Sequence, residues 1–592
     1  MEAKKIRGKF LNFFEGRGHT IVPSSSLLPT DPSVLFTTAG MQQFKSYFLG
    51  ESSPYGNKVT SCQKCFRTSD IDAVGDKTHL TFLEMLGNFS FGDYFKKESI
   101  EWALELLTKV CGLNKKNLWI TVFRGDKEVP EDNESQEIWM SLGFSLEKIH
   151  GFTRKDNFWG PTGEEGPCGP TTEIHYDLTG KNCSLGDKCL PNCRCGRFIE
   201  LWNLVFNEYY QDKNKKLTFL KQKGVDTGMG LERLATVVQK KASIFETDLF
   251  SSVIKEIEKK SAIKYKDNPK LFRIITDHIK GAVFLAAEGI TPSNVEQGYV
   301  LRRILRRAIR YGKILKMPKD FLIPSAKEVV EIYRDIYPEL KSNETDILTI
   351  IQNEEEKFEE TLERGLKEFE KLISKNKDIN GQEAFNLYQS YGFPLELTEE
   401  LTKEKNLRVD KEGFKEAVER HQKVSRAGVE KKFGGVGKEA TYEASKLHTA
   451  THLLHQALRE VLGGHVKQMG SDITPQRLRF DFSHSAKMTT EEIQKVEELV
   501  NQKIKEDLEV KKEEMSYKDA LNSGALAFFK EKYPEKVSVY SIGDSSDSSG
   551  QVFSKEICAG PHINRTSELG KFKIIKEESS GAGVRRIRAI LE

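Results

Sequence analysis

Residues 81–95 read TFLEMLGNFSFGDYF, and residues 224–233 read GVDTGMGLER. The first segment begins like a strand and continues through glycines and phenylalanines. The second ends a strand, turns at Gly228 and Gly230, and starts a helix that carries Arg233. Glycine lets the backbone approach a ligand closely, and a helix N-terminus with a fixed arginine favours phosphate. Ordinary turns and core packing explain either segment alone, but the pair indicates a site for a phosphate-bearing ligand.

The sequence around these segments predicts a mixed fold. Runs such as LWITVF (118–123) and FIELWNLVFNEYY (198–210) alternate in a way typical of antiparallel strands. The apolar spacing and the Lys/Glu content after residue 245 favour helices instead. We therefore predict an α+β multidomain chain with an antiparallel-sheet domain at 1–245, a helical domain at 246–430, a linker at 431–444 and an α+β domain at 445–592.

Composition restricts the class of protein. The 592 residues include 91 Lys and Arg against 88 Asp and Glu, a net charge of +3, so any nucleic-acid-binding surface must be local. No apolar run approaches the roughly 20 residues of a membrane span, and the N-terminus lacks an apolar signal core. The nine cysteines are clustered. Their clustering argues against an extracellular disulfide framework and for a reducing compartment.

A basic segment lies at residues 299–311, YVLRRILRRAIRY. Its apolar residues fall on one helical face, and five arginines within nine residues occupy the rest, with no acid between them. Pairing with acids elsewhere in the protein is one interpretation. The spacing favours contact with nucleic-acid phosphates. The arginines concerned are Arg302, Arg303, Arg306, Arg307 and Arg310.

Two groups of His and Cys have the spacing of metal ligands. His448 and His452 are four residues apart on a predicted helix, and Cys558 and His562 have the same spacing downstream. Two such pairs suit tetrahedral zinc. The second group comprises four cysteines within thirteen residues, for which a structural zinc site and free thiols both stay open. These cysteines are Cys183, Cys189, Cys193 and Cys195.

Together these motifs resemble the alanyl-tRNA synthetases, a family of class II synthetases. The resemblance runs from the first residues to the last. It implies a class II antiparallel sheet with flanking helices, a cytoplasmic enzyme, and ATP with Mg²⁺, L-alanine and tRNA(Ala) as substrates. The matching segments, in family order, are FRTSDID (66–72), EMLGNFSFGDYF (84–95), GPCGPTTEIHYD (166–177), LWNLVF (201–206) and VDTGMGLER (225–233).

The resemblance also implies roles for single residues in alanine activation. Arg67 and Arg233 would contact ATP, and Arg67 would also hold the carboxylate of alanine. Asp226 would pair with the ammonium group of alanine. A tandem histidine of the family appears here as His79–Leu80, which puts one ATP contact in question. The remaining residues expected around ATP and alanine are Trp159, Leu201, Trp202, Asn203 and Gly230.

Two further functions follow from the same resemblance. Asn294 would read the G:U pair of the tRNA(Ala) acceptor stem. The zinc ligands would belong to an editing domain that hydrolyses seryl- and glycyl-tRNA(Ala), with Gln468 lining its pocket. Editing has a physical reason, because one methyl group supplies only about 1–3 kcal/mol of discrimination.

The sequence departs from the family in the C-terminal half. The motif CAGPH (558–562) replaces CGGTH, and the β-barrel segment expected before His448 is missing. The chain ends where family members continue into a dimerisation region, so we expect a shortened bacterial-type form and a monomer. The competing hypotheses are a free-standing deacylase and a non-enzymatic RNA-binding protein with a decayed site.

Overall fold

The computed structural model describes residues 1–31, 33–374, 377–421, 441–484, 486–526, 536–543, 552–558, 560–581 and 583–592. These residues form two compact units. One comprises residues 1–377 and 386–407, and the other comprises residues 378–385 and 408–592. Residues 431–440 of the predicted linker lie outside the described residues.

An antiparallel sheet forms the centre of the first unit. Its strand order is β1-β2-β3-β9-β8-β7-β4-β5, with β6 paired to β7. Neighbouring strands are antiparallel except the parallel pairs β1–β2 and β4–β5. This sheet confirms the predicted class II fold. The strands are β1 (Thr20–Ile21), β2 (Lys58–Phe66), β3 (Phe82–Phe91), β4 (Leu118–Phe123), β5 (Ile149–Phe152), β6 (Phe158–Trp159), β7 (Gly166–Asp177), β8 (Phe198–Gln211) and β9 (Leu217–Gly230).

Helices flank this sheet and continue after it. The helices before residue 245 are α1 (Ala3–Glu15), α2 (Lys45–Phe48), α3 (Lys96–Glu105), α4 (Asn133–Ser141), α5 (Arg154–Asn157) and α6 (Leu231–Val238). Those that follow are α7 (Ser251–Lys260), α8 (Pro269–Ala287), α9 (Glu296–Ile314), α10 (Leu322–Tyr333), α11 (Pro338–Ser342), α12 (Glu344–Ile373), α13 (Gly381–Tyr391) and α14 (Leu395–Glu404). A helix α15 begins at 411 and is described to 421.

The predicted boundary at residue 245 does not end a folded unit. The Phe82 ring on β3 stacks on Phe284 of α8 with centroids 3.8 Å apart. The Thr81 backbone amide and hydroxyl donate to the buried Asp277 carboxylate at 2.9 and 2.7 Å. Helix α8 therefore shares a core with β3 of the sheet.

In its described part, the second unit has two antiparallel sheets and two long helices, and it also includes α15. Its elements are α16 (Tyr442–Leu462), β10 (Gln468–Thr474), β11 (Arg477–Ser483), α17 (Thr490–Lys505), β12 (Val510–Ser516), α18 (Tyr517–Asn522), β13 (Lys536–Ile542), β14 (Ser554–Ile557), β15 (Phe572–Gly581) and β16 (Val584–Leu591). The strand orders are β10-β11-β16-β15 and β12-β13-β14. Thr441 caps α16 by accepting from the Ala444 amide, so this helix begins before the predicted domain start at 445.

The glycines of the two segments quoted first serve close packing. Gly228 and Gly230 lie within β9 and not in turns, which corrects the prediction. A Cβ at Gly87 would lie 2.5 Å from the Phe89 ring and 2.7 Å from the Thr227 carbonyl oxygen. Contacts this short exclude any side chain at this position, so the glycine lets β3 and β9 pair closely.

A buried ion pair joins α1 to β3 under this sheet. Arg7 donates to both carboxylate oxygens of Glu84 at 2.9 and 2.6 Å, and the Tyr337 hydroxyl donates to Glu84 at 2.9 Å. Burial opposes ionisation of Glu84, but Arg7 holds the Glu84 pKa below its ordinary value. The carboxylate is therefore charged inside the core.

Replacing Arg7 by leucine should destabilise the first unit by about 3–5 kcal/mol, because Glu84 would keep a buried charge without its main partner. A lowered melting temperature in a thermal unfolding scan would show this loss. Lys4→Ala is the control, since the Lys4–Asp335 pair is exposed (68% and 66% of the side chains) and should contribute little. Equal melting temperatures for both variants would contradict the prediction.

Candidate active site and metal centres

A cavity of about 270 Å³ opens over strands β3, β7, β8 and β9 of the first unit. Its lining includes most of the residues that the sequence predicts for the ligand site. These are Arg67, Trp159, Leu201, Asn203, Asp226, Gly230 and Arg233.

Trp202 is the exception among these residues. Its side chain is fully buried, and its ring lies 5.6 Å from Phe10 and 6.2 Å from Phe14 of α1, centroid to centroid. Successive side chains of a strand point to opposite faces of a sheet. Because Leu201 and Asn203 line the cavity, Trp202 lies on the other face. The prediction that Trp202 touches the ligand is corrected: it packs the sheet against α1.

The Asp226 carboxyl group faces the cavity and forms no ion pair with a cation in the described part of the chain. It lies in β9, in register with Phe89 of β3 and Val205 of β8. Burial raises the pKa of Asp226 from 3.8 to about 7. Among the described residues, no Lys, Arg or His forms an ion pair with it. A ligand cation in the cavity would supply the missing charge.

The two arginines of the cavity are held differently. Arg233 donates to the Glu200 carboxylate at 2.9 Å. Burial would raise the pKa of Glu200, but Arg233, His175 and Arg67 lower it below its ordinary value. Arg67 follows β2, and its Nε donates to the Thr38 carbonyl oxygen at 3.3 Å. The Arg67 guanidinium therefore retains donors for an anion in the cavity.

Glu173 and Glu200 also line the cavity, although no sequence motif predicted them as site residues. Glu173 lies on β7, lines the cavity, and accepts a hydrogen bond from the Asn203 side-chain amide at 3.0 Å. Burial, with Glu200 nearby, raises the pKa of Glu173. The run GPCGPTTEIHYD (166–177) offered a signal for Glu173, because this residue is the one carboxylate before the terminal Asp177. Sequence alone does not tell which face of β7 it occupies.

His79 and Leu80 both line the cavity. The His79 Nδ1 lies 2.5 Å from the Asp76 carboxylate. Leu80 is 5% exposed. The leucine supplies apolar surface at a position where an imidazole would offer a hydrogen bond.

The arginine helix is an ion-pair framework in the folded protein. The sequence pattern favours contact of these arginines with phosphates. In the structure they pair with acids of the protein, as the alternative interpretation holds. Arg306 pairs with Glu354 at 2.6 Å, Arg307 with Glu400 at 2.5 Å, and Arg310 with Glu404 at 2.6 Å. Their side chains are 11%, 7% and 4% exposed. Acids from later helices therefore neutralise these three arginines. We no longer predict that they contact tRNA.

Two arginines of α9 lie nearer the surface, close to Asn294. Arg302 donates to the Asn294 side-chain oxygen, and 18% of its side chain is exposed. Arg303 pairs with the exposed Asp72 at 2.7 Å. Asn294 itself is exposed just before the helix. A nucleic-acid contact on α9 is therefore restricted to its first turns.

The second unit brings the four predicted zinc ligands together. One ligand atom from each of His448, His452, Cys558 and His562 lies within 4.8 Å of the others. His448 Nε2 is 3.4 Å from the Cys558 sulfur, and the His448 and His562 rings stack at 4.2 Å between centroids. Burial lowers the pKa of His448 to about 4 and that of His562 well below its ordinary value. The imidazoles are therefore neutral, as a metal requires.

Surrounding groups orient these ligands. The Pro561 carbonyl oxygen lies 3.2 Å from His448 Nδ1, and the Thr449 hydroxyl lies 3.1 Å from His562 Nδ1. The Nε2 atom of His562 is buried with no hydrogen-bond partner among the described residues. A buried nitrogen without a hydrogen-bond partner, in a group of four possible ligand atoms, is consistent with metal binding.

The altered motif CAGPH preserves this packing. A Cβ at Gly560 would collide with the His448 ring, so the glycine that remains is the one that the site requires. Pro561 keeps the backbone carbonyl that orients His448. Position 559 lies outside the described residues. Gln468 begins β10, and its amide donates to the Ser471 hydroxyl at 3.1 Å; its place in an editing pocket stays a prediction.

The second cysteine group is also assembled. The Sγ atoms of Cys183 and Cys193 are 3.8 Å apart, and those of Cys189 and Cys195 are 3.7 Å apart. All four sulfurs lie within 4.8 Å of one another. Four thiols this close are compatible with a metal ion. The guanidinium of Arg197 closes the base of this loop by donating to Asp177 at 2.6 Å.

Comparison with known proteins agrees with this geometry. The family model "tRNA synthetases class II (A)" matches residues 5–471, and "Threonyl and Alanyl tRNA synthetase second additional domain" matches residues 537–588. An "Alanine--tRNA ligase" of Treponema pallidum is 48% identical over 100% of this chain and 98% of its own length. That of Borrelia hermsii is 49% identical over 100% of both chains. That of Dehalococcoides mccartyi is 38% identical over 99% of this chain and 79% of its own length.

In the part of the chain that is described, no helix has the length and apolar character needed to cross a membrane. With a cavity that gathers Arg67, Asp226 and Arg233, and with relatives matched along the whole length, the chain belongs to the class II tRNA synthetases (A), in the family of the alanine–tRNA ligases.

Proposed function

We propose that this protein joins alanine to tRNA(Ala) in two ATP-dependent steps within the cavity. The observation that carries this proposal is Asp226, a buried acid that has no partner cation in the described part of the chain and that faces the same cavity as Arg67 and Arg233. An amino acid has a cation and an anion on adjacent atoms, and this arrangement offers a partner for each.

In the first step, a carboxylate oxygen of alanine attacks the α-phosphorus of ATP. The bond between the α-phosphorus and the bridging oxygen breaks, and pyrophosphate leaves with its electron pair. Arg67 stabilises the charge that develops on the α-phosphate, and Asp226 holds the ammonium group so that the carboxylate is aligned. Carboxylates are ligands that Mg²⁺ prefers, and Glu173 and Glu200 supply them in the cavity lining.

In the second step, a hydroxyl of the terminal ribose of tRNA attacks the carbonyl carbon of alanyl-adenylate. AMP leaves with the electron pair of the broken bond, and the proton of the hydroxyl passes to a phosphate oxygen of AMP. No side-chain nucleophile is needed, so catalysis depends on positioning and on fixed charge. On the tRNA side we assign recognition to the exposed Asn294 and to Arg302 and Arg303, which are partly exposed on α9.

Alanine-dependent exchange of labelled pyrophosphate into ATP tests the first step. Exchange with alanine well above that with leucine is the expected result. A protein that binds tRNA(Ala) but shows no exchange with any amino acid would favour the RNA-binding hypothesis. Deacylation without exchange would favour the free-standing deacylase.

We further propose that the second unit removes serine and glycine from mischarged tRNA(Ala). The match to the additional domain and the cluster of His448, His452, Cys558 and His562 support it. These four side chains would hold Zn²⁺, which would orient the attacking water or the ester by taking one further ligand. Thr449 and the Pro561 carbonyl would keep the imidazoles in the ligating orientation.

The four-cysteine loop would hold a second, structural Zn²⁺. Replacing Cys183 and Cys189 together by serine should remove about one equivalent of zinc per chain, because two of four thiolates cannot retain the ion. Metal analysis of the purified protein measures this loss. Cys111→Ser is the control, since Cys111 belongs to neither cluster. Unchanged zinc content in the double variant would favour free thiols.

A further inference from the structure

The four-cysteine loop forms a wall of a second cavity beside the active site. This cavity has a volume of about 470 Å³, and its lining includes Asn192 and Arg194 from the loop. Glu173, Glu200 and Arg233 line both cavities. The two spaces therefore meet at the charged residues of the active site, and a ligand can extend from one into the other.

The substrates need more room than the first cavity provides. Its volume of about 270 Å³ lies below the roughly 300–1,000 Å³ typical of pockets for drug-sized ligands. ATP and alanine must occupy it together in the first step. Part of ATP must therefore project into the second cavity.

The linings indicate which part of ATP projects. The first cavity presents apolar surface from Leu83, Met85 and Trp159, which suits a base and a methyl group. Lys155 and Arg233 line both cavities, and Arg194 is the cation that the second cavity adds to them. This additional cation favours the outer phosphates over the base in the second cavity.

Arg194 is free to bind an anion. Its side chain is exposed, and no carboxylate lies within ion-pair distance of it among the described residues. The same is true of Lys155, whereas the arginines of α9 are paired with acids. An unpaired surface arginine on an ordinary loop would be mobile, and holding it would cost side-chain entropy.

The cysteine cluster holds the backbone of Arg194 on both sides. Cys193 packs on Cys183 at 3.8 Å, and Cys195 packs on Cys189 at 3.7 Å between sulfurs. The backbone amide of Leu178 donates to the Arg197 carbonyl oxygen at 2.9 Å and closes the loop below. These contacts therefore fix the backbone on both sides of Arg194 beside the cavity.

We propose that Arg194 binds the β- and γ-phosphates of ATP and the pyrophosphate that leaves. Lys155 lines the same cavity and adds a second positive charge. The proposal rests on the alanine-activating function and adds to it a binding residue from the cysteine loop. The loop then fixes the position of the pyrophosphate that leaves.

Replacing Arg194 by alanine should weaken ATP binding about 10-fold, the effect of losing one charge-assisted hydrogen bond at an accessible site. The affinity for AMP, which lacks the outer phosphates, should not change. Isothermal titration calorimetry with each nucleotide measures both. In pyrophosphate exchange, the KM for ATP should rise by a similar factor while the KM for alanine stays the same.

Controls separate this role from a structural one. Lys188→Ala removes an exposed cation from the same loop that does not line the cavity, and it should bind ATP normally. Arg194→Lys should restore part of the affinity. The zinc content and melting temperature of Arg194→Ala and of the milder Arg194→Gln should match those of the unaltered protein.

Three results would overturn the proposal. The first is an Arg194→Ala variant that binds ATP as tightly as the unaltered protein, the second is equal weakening of ATP and AMP binding, and the third is a raised KM for tRNA alone. The last result would assign the second cavity to the acceptor end of tRNA. Failure of the function itself is distinguishable, because the unaltered protein would then show no exchange whatever the nucleotide affinities of its variants.

Discussion

Replacing Asp226 by asparagine should lower kcat/KM for alanine by on the order of 10² to 10³-fold in pyrophosphate exchange. Removing one partner of a buried charge pair costs about 2–5 kcal/mol, and each 1.4 kcal/mol is about tenfold. Asp226 is buried and has no protein cation among the described residues, so the substrate ammonium is its proposed partner. The KM for ATP should change little.

The pH dependence gives an independent test of the same residue. Burial raises the pKa of Asp226 to about 7, so below that pH the free enzyme carries a neutral acid that cannot hold an ammonium ion. We expect kcat/KM for alanine to fall about tenfold per pH unit below 7. The asparagine variant should lack this limb of the profile.

Stability separates a binding role from a structural one. The pKa of Asp226 lies above its ordinary value in the folded protein, so this carboxylate lowers stability as the pH rises from about 4 to about 7. Asp226→Asn should therefore melt at the same or a higher temperature at pH 8. The matched control is Asp346→Asn on the exposed face of α12, which should retain full exchange. Loss of exchange together with a lower melting temperature would contradict the assigned role.

Replacing Cys558 by alanine should remove zinc from the second unit and slow deacylation of seryl-tRNA(Ala) by at least about 100-fold. The reason is that the ion would keep only three imidazoles, His448, His452 and His562, and would lose its one thiolate. Zinc analysis and a deacylation assay on purified seryl-tRNA(Ala) measure the two effects. Treatment of the unaltered protein with a chelator should reproduce the loss.

The same variant should leave pyrophosphate exchange intact, because the cavity for alanine and ATP lies within the first unit. Cys111→Ala, which removes a half-buried thiol outside both clusters, serves as the control. Deacylation that persists after the metal is lost would show that the ion stabilises the unit without taking part in hydrolysis.

The active-site residues were predictable where the signal is local. Asp226 and Arg233 lie on one strand and the helix that follows it, and both line the cavity. The zinc ligands were predictable for a similar reason, since a four-residue spacing on a helix places His448 and His452 on one side. Glu200 was not predictable, because it became a site residue only when folding placed β8 beside α6, where Glu200 pairs with Arg233.

Sequence by itself determined the antiparallel class, the family and several of the residues around the cavity, because strand alternation and short motifs act over neighbouring positions. Tertiary structure alone decided the rest. It turned Trp202 towards α1, paired the arginines of α9 with Glu354, Glu400 and Glu404, and set Arg194 beside the active site. Each of these outcomes depends on which distant residue meets a given face, and charges or apolar surfaces find those partners only when the chain has folded.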